Sequence, residues 1–390
     1  MTPDNQIVSD GRQTIDGFEI FLVKVPDHSR RWLFLLLKTN GGTVGYGECC
    51  WHGDWAGMLD SAAIYVEQLK LLLTRYVLGN SPHIVEKLWQ DIYLSGHSAR
   101  VAGPVNIAAL SAIEIACWDL IGKAAGQPVY NLLGGMVREN VRTYCYLPGP
   151  FHGIDPKMIA ERAVAQVERG HTAVKLDPVG EFASEDTLTR LEEVEAIIKA
   201  IREAVGSRCD IMLGTHGQFD THTAIRFAKR LEPYELAWFE EPVQAENVEA
   251  LRRVTQATAI PIATGERLMT KFAFAKVIER LAASIYQPDP NCCGGILEMK
   301  KIAALAECHY AVIAPHMYGG PMSLAASIQV DVCTTNFYIQ ENNVIEFHDE
   351  ILKEPLKWER GFIKPSSRPG LGYELNMDLV FRHSEMHVCS

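Results

Sequence analysis

Nine ionisable residues stand at the ends of short apolar runs along the middle of this 390-residue chain: Lys175, Asp177, His216, Glu240, Glu241, Glu266, Asp289, His316 and Glu341. Glu240-Glu241-Pro242 follows Ala237-Trp238-Phe239, and Glu266 follows Pro261-Ile262-Ala263-Thr264-Gly265. Two carboxylates on consecutive parallel strand ends can converge on one hard cation, because Mg²⁺ prefers oxygen ligands and keeps waters that substrate oxygens replace. Each also has a plainer reading: the Glu240-Glu241 pair can cap the next helix, and Glu266 can pair with Arg267. His316 follows Ile313-Ala314-Pro315, and Asp289 ends the run before it. On neighbouring strands the two come within hydrogen-bond reach, and a carboxylate that orients an imidazole makes a general base. Alone, His316 reads as a core or surface residue. Strand alternation puts Lys175 and Asp177 on one face; the plainer reading is a lysine that snorkels or pairs with Asp177. His216 lies in the turn-rich Gly214-Thr215-His216-Gly217-Gln218, where an ordinary surface histidine would also fit.

Such residues act together only if a scaffold gathers the strand ends. Apolar runs at 141–147, 173–177, 210–215, 237–242, 261–265, 283–289, 311–316 and 337–341 read as strands. Helical patterns at 156–169, 185–204, 221–231, 247–258, 270–281, 295–307 and 320–332 separate them. Strict alternation signals βα units and a parallel sheet. The fold class is α/β, and eight units fit a closed (β/α)8 TIM-type barrel, in a (β/α)7β form, whose strand C-termini make the active face. No glycine-rich dinucleotide loop or P-loop follows a strand, which counts against an open doubly wound sheet. Earlier, 18–25 and 32–39 read as strands and Asn40-Gly41-Gly42 as a hairpin turn, followed by helices at 58–73, 84–94 and 106–125. The expected domains are an α+β cap over 1–138, a catalytic barrel over 139–354, and a segment over 355–390 that returns to the cap.

Composition narrows the function classes. The chain is 47% hydrophobic and 22% charged, as for an ordinary globular protein, which excludes a mostly disordered or coiled-coil chain. A net charge of −11 argues against nucleic acid or an anionic membrane as partner, so an anionic substrate needs a local positive group. No apolar run is read as a membrane span, and residues 1–13 lack a signal core. Ten cysteines, including Cys49-Cys50 and Cys292-Cys293, read as reduced thiols, and a cytoplasmic location is expected.

Several stretches together resemble the mandelate racemase branch of the enolase superfamily, in particular its acid-sugar (galactonate-type) dehydratases. They are Gly103-Pro104-Val105-Asn106, the run 116–123, Phe239-Glu240-Glu241-Pro242, Gly265-Glu266-Arg267, Gln287-Pro288-Asp289-Pro290 with Gly294-Gly295, Ala314-Pro315-His316, and Pro369-Gly370-Leu371-Gly372. The intervals of 26 residues from Glu240 to Glu266, 23 to Asp289 and 27 to His316 match the family pattern. The resemblance implies Mg²⁺ as cofactor, with Glu240 and Glu266 as two of three ligands. It implies Asp289 and His316 as the base dyad, and Glu341 as an acid that hydrogen-bonds a substrate carboxylate oxygen. His216 would protonate the departing hydroxyl, and Lys175 matches the first lysine of the racemases' Lys-x-Lys pair.

Two positions depart from the family. Gly214 stands where the first metal-binding acid belongs, and Asp177 replaces the second lysine. Asp177 is therefore expected to supply the missing carboxylate, with His216 as the alternative ligand. The implied reaction is abstraction of the proton α to a carboxylate and loss of water, giving a 2-keto-3-deoxy acid. A racemase or epimerase, a cycloisomerase acting on a lactone, and a non-catalytic binding barrel remain alternatives. Trp51, His52 and Trp55 are expected to form a lid and, with Arg267, to contact an acid-sugar substrate. Homo-oligomers are the family's usual assembly.

Overall fold

The computed structural model describes residues 13–49, 62–95, 102–180 and 187–390. Strands β1 (Ile15–Lys24), β2 (Arg31–Thr39) and β3 (Val44–Cys49) form an antiparallel meander. The Asn40-Gly41-Gly42 turn joins β2 to β3, and Gly42 takes a φ of 79°, a left-handed conformation open to glycine. Sequence reasoning gave no strand to 44–49, whose two glycines hide its β character. Alternating residues of the sheet face two cores. Ile20, Leu33, Leu35 and Leu37 pack with Val66, Leu69, Ile92 and Ile107 of the helices Ala62–Leu72, Val85–Tyr93 and Pro104–Ala125. Phe21, Val23, Phe34 and Leu36 join the main core shared with the barrel.

The helix Pro104–Ala125 is long and apolar enough to cross a membrane by length and composition, contrary to the sequence expectation. It is a core helix: 78% of that apolar window is buried inside the protein. The buried acids Glu114 and Asp119 lie on it.

Parallel strands β4 (Val141–Tyr146), β5 (Ala173–Leu176), β6 (Asp210–Gly214), β7 (Trp238–Glu240), β8 (Ile262–Thr264), β9 (Ile285–Tyr286) and β10 (Val312–Ile313) follow in order, each paired with the next. The eighth, β11 (Gln340–Asn342), pairs with β4. Just before it, Tyr338 N–H donates to Ile313 O at 2.8 Å, and Ile313 N–H to Asn336 O at 3.0 Å, linking β10 to the last strand. Seven long helices, from Pro156–Glu168 to Pro321–Val332, fill the crossovers, and only the short helix Glu346–Glu350 follows β11. This is the (β/α)7β form.

Tyr144, Ala173, Met212, Trp238, Ala263, Ile285, Ala314 and Ile339, one from each strand path, make a single buried cluster inside the ring. Three alanines leave room for Tyr144 and Trp238, whose rings meet edge to face at 5.3 Å. Two residues further along each strand, alternation turns Tyr146, Lys175, Gly214, Glu240, Gly265, Gln287, His316 and Glu341 inward at the C-terminal end. Below, β12 (Lys357–Glu359) and β13 (Phe362–Lys364) form a hairpin that pairs with the start of β4. The chain then returns, and β14 (Ser384–Cys389) pairs with β1.

Buried acids fasten cap to barrel. Glu48 on β3 accepts the amides of Gly320 and Ser323 at the start of helix Pro321–Val332. Glu114 accepts those of Ile296 (2.7 Å) and Leu297 (2.9 Å) at the start of helix Ile296–Glu307. Each satisfies N–H groups without partners in the helix and sets a carboxylate at the positive end of its dipole. Asp119 accepts Tyr46 N–H of β3 and Leu371 N–H of the returning segment.

Burial lifts the Glu48 carboxyl to about 7, with Asp289 adding to the rise and the Gly320 and Ser323 amides opposing it. Its unfolded value lies near 4.3. The stability it contributes is therefore complete below that value and declines as pH rises through about 7. Relative to the parent, Glu48→Gln is expected to gain roughly 3 kcal/mol between pH 5 and pH 9, because each tenfold difference in proton affinity between folded and unfolded chain is worth about 1.4 kcal/mol. Urea unfolding at the two pH values measures this, and an equal difference at both would refute it.

Candidate active site

The inward layer at the strand C-termini concentrates charge around one buried ammonium. Lys175 on β5 is 2% exposed. Its Nζ lies 2.5 Å from Glu240 Oε1 on β7, 3.2 Å from Glu341 Oε1 on β11, and 3.4 Å from the Tyr144 hydroxyl on β4. Burial alone would drive the ammonium pKa down, but Glu240 and Glu341 reverse this and hold it well above the ordinary lysine value. The other oxygen of Glu240 accepts from Trp238 Nε1 (2.9 Å) and Gln287 Nε2 (2.7 Å).

Glu341 accepts Met317 N–H on its second oxygen at 2.9 Å. Burial pushes its pKa up, yet Lys175, His316 and the Met317 amide pull it below the ordinary glutamate value. It is thus a carboxylate at neutral pH. A protonated Glu341 that donates to a developing oxyanion does not match this environment.

Asp289 and His316 meet as their matched depth on adjacent strands implies: His316 Nδ1 lies 2.9 Å from Asp289 Oδ2. Asp289 Oδ1 caps the short helix Pro290–Cys293 through Asn291 N–H, which fixes the carboxylate. His316 Nε2 is 3.8 Å from both Glu266 Oε2 and Glu341 Oε2. Burial opposes the charged imidazole, but Glu341, Asp289 and Glu266 together raise its pKa to about 10.

A second dyad stands across the ring. His216 Nδ1 lies 2.5 Å from Asp177 Oδ2. The Asp177 bond, with Glu266 nearby, outweighs burial and raises the His216 pKa. Sequence reasoning placed both residues at the mouth but not together. A signal was present, since each sits two positions past an inward residue on adjacent strands β5 and β6, but the register argument that joined Asp289 to His316 puts Asp177 opposite Gly214. β6 and β10 are four strands apart in a ring of eight, so the two imidazoles enter from opposite sides.

Two expectations meet a different geometry. The structure engages Asp177 with His216 and Glu240 with Lys175, and does not gather them with Glu266 into a three-carboxylate cradle. Among the described residues no group of three His, Cys, Asp or Glu side chains is placed to hold a metal ion. The donor set therefore does not fit the Mg²⁺ centre that the resemblance implies. Arg267 faces protein acids, with Nη2 3.3 Å from Glu241 Oε2 and Nε 3.7 Å from Glu266 Oε1. Trp51, His52 and Trp55 lie outside the described residues. Glu241 is buried beneath the site, accepting from Thr264 Oγ1 (2.5 Å) and Gly265 N–H (3.0 Å), and so shapes the turn that presents Glu266.

The fold and this ring of acids and bases define a class, and the chain belongs to the mandelate racemase/muconate lactonizing enzyme family. Residues 20–134 match the model of that family's N-terminal domain, and residues 158–379 match the enolase C-terminal domain-like model. Among curated proteins it is 34% identical to a D-galactonate dehydratase of Pectobacterium atrosepticum over 363 residues, 91% of each chain. It is 35% identical to a D-galactonate dehydratase of Ralstonia pickettii, with the same coverage. Among solved structures, a putative mandelate racemase/muconate lactonizing enzyme from Labrenzia alexandrii superposes with a TM-score of 0.89 at 43% identity. That match covers 96% of this chain and 100% of the other.

Two measurements probe this geometry. Lys175→Met leaves two buried carboxylates without their countercharge and is expected to cost ~3–5 kcal/mol in urea unfolding. His316 must lose its proton before it can act as a base. Turnover per encounter (kcat/KM) is therefore expected to rise from pH 7 towards pH 10, and Asp289→Asn, which removes one of the carboxylates holding that proton, moves the rise to lower pH.

Proposed function

We propose that this chain is a hydro-lyase that removes water from an acid sugar, an aldonate such as galactonate, to give a 2-keto-3-deoxy acid. The observation that carries this reading is the pair of His–Asp dyads on opposite sides of the barrel mouth, with the Lys175 ammonium in the same ring of inward residues. The D-galactonate dehydratases to which the chain is similar support the same reaction class.

The substrate carboxylate is anionic, and in a chain of net charge −11 it needs local positive groups. Lys175 supplies one, and the protonated imidazole of His216 supplies another. In its neutral form, His316 takes the proton from the carbon α to the carboxylate. The freed electron pair moves into the bond between the α- and β-carbons, and the C–O bond at the β-carbon breaks. His216, protonated because Asp177 and Glu266 stabilise its charge, gives its proton to the departing hydroxyl, which leaves as water. The resulting enol takes a proton at the β-carbon, loses the proton of its α-hydroxyl and becomes the 2-keto acid. Asp289 and Asp177 orient the two rings and balance their charge.

One feature also favours a second reading. Two bases on opposite faces of one carbon suit epimerisation, with His216 in place of Lys175 as the partner of His316. The ammonium of Lys175, stabilised by two carboxylates, is a poor base for that role.

A panel of aldonic and aldaric acids incubated in D₂O separates the readings. Formation of 2-keto-3-deoxy acid, followed with a carbonyl reagent, supports dehydration. Deuterium at the α-carbon with inverted configuration and no keto acid supports epimerisation. His216→Asn is expected to retain α-hydrogen exchange while dehydration falls ~10²–10⁴-fold. Loss of both in a folded variant overturns the assignment of the two histidines.

A further inference from the structure

The inward position on β6 is Gly214, which offers no donor atom. A Cβ built there would lie 3.6 Å from Lys175 Cε and 3.9 Å from Asp177 Cβ, in ordinary contact. The lysine chain thus runs in van der Waals contact with position 214. Its Nζ has three oxygen neighbours: Glu240, Glu341 and the Tyr144 hydroxyl. An ammonium has three N–H donors, so its hydrogen-bonding capacity is matched at this spot.

The surrounding groups agree. Glu240 is the acid that the family resemblance assigns to a metal, yet Lys175, Trp238 and Gln287 engage both of its oxygens. Asp177, the nearest acid on β5, is committed to His216. A divalent ion here would have to displace a buried ammonium from two carboxylates, and the two cations would then repel each other in a poorly screened site. With no acid at 214, the lysine that the resemblance already places at 175 is the cation that meets Glu240 and Glu341.

We propose that the Lys175 ammonium is the resident cation of this barrel, standing in place of a divalent metal ion, and that its charge, with its N–H groups already engaged, draws the carboxylate of the acid substrate to the barrel mouth. The last clause rests on the acid-sugar reading above; the first does not. Attraction by a fixed charge needs no coordination shell, so binding of the acid should not depend on chelators.

Mn²⁺ titration of EDTA-stripped protein, read from the electron paramagnetic resonance of the free ion, tests the cation. The wild type is expected to take up no stoichiometric Mn²⁺ at submillimolar concentration. The double variant Gly214→Asp/Lys175→Met, which restores a third acid and removes the ammonium, is expected to take up one equivalent at least 100-fold more tightly. One equivalent bound tightly by the wild type and lost in Glu240→Gln overturns the proposal, and this arm needs no variant of uncertain folding. Turnover of the active acid that persists undiminished in EDTA supports the substrate clause, and turnover abolished by EDTA and restored by Mg²⁺ overturns it. Absence of turnover on any acid sugar, with no Mn²⁺ uptake, removes the functional reading and leaves the resident cation standing.

Discussion

A buried positive charge has to be balanced within a few ångströms, and around Lys175 that requirement organises the barrel mouth. Desolvating an ammonium costs several kcal/mol unless carboxylates and hydrogen-bond acceptors surround it. Glu240 and Glu341 come from strands on either side of β5 around the ring, so the charge can be met only if the barrel is closed. Each acid is in turn held by a second contact: Glu240 by Trp238 and Gln287, Glu341 by the Met317 amide. The ammonium therefore couples five strands, β4, β5, β7, β9 and β11, through groups that also make the site.

That balance sets the protonation states nearby. Glu341 and Glu266 stay ionised because cations face them. The two histidines hold protons because acids face them. An entering carboxylate meets a mouth already divided into donors and acceptors, with one imidazole on each side. Charges fixed in advance in this way are the kind that lower a barrier most.

Much of this was legible in the residues. The strict alternation of apolar strand runs with helical patterns marked a parallel barrel, and the polar strand ends marked its active face, because a barrel lining has no structural use for ionisable groups. Asp289 and His316 were paired by depth alone. What escaped notice has physical causes. β12 and β13 are three-residue strands, and the partners of β13 and β14, namely β4 and β1, are hundreds of residues away in sequence. Asp177 was assigned by the deficit at Gly214, and a missing side chain says that something compensates without saying what. The structure compensates with a cation from the next strand instead of an anion. Glu48 and Glu114 carried no signal, since a buried glutamate inside an apolar stretch looks like a solvent-facing one until the helix start above it is known.

These two glutamates bear on any attempt to change specificity by exchanging the cap for that of a relative. Gly295 and Gly320 leave the hollows into which they reach: a Cβ on Gly295 would lie 2.0 Å from Glu114 Oε2, and one on Gly320 would lie 2.7 Å from the Trp32 ring and 3.0 Å from Glu48 Oε2. A chimera therefore has to inherit acid and glycine as matched pairs from one parent. A hybrid that splits them leaves either a bare helix start or a carboxylate with nowhere to go, and its seam would fail before its new pocket could be tried.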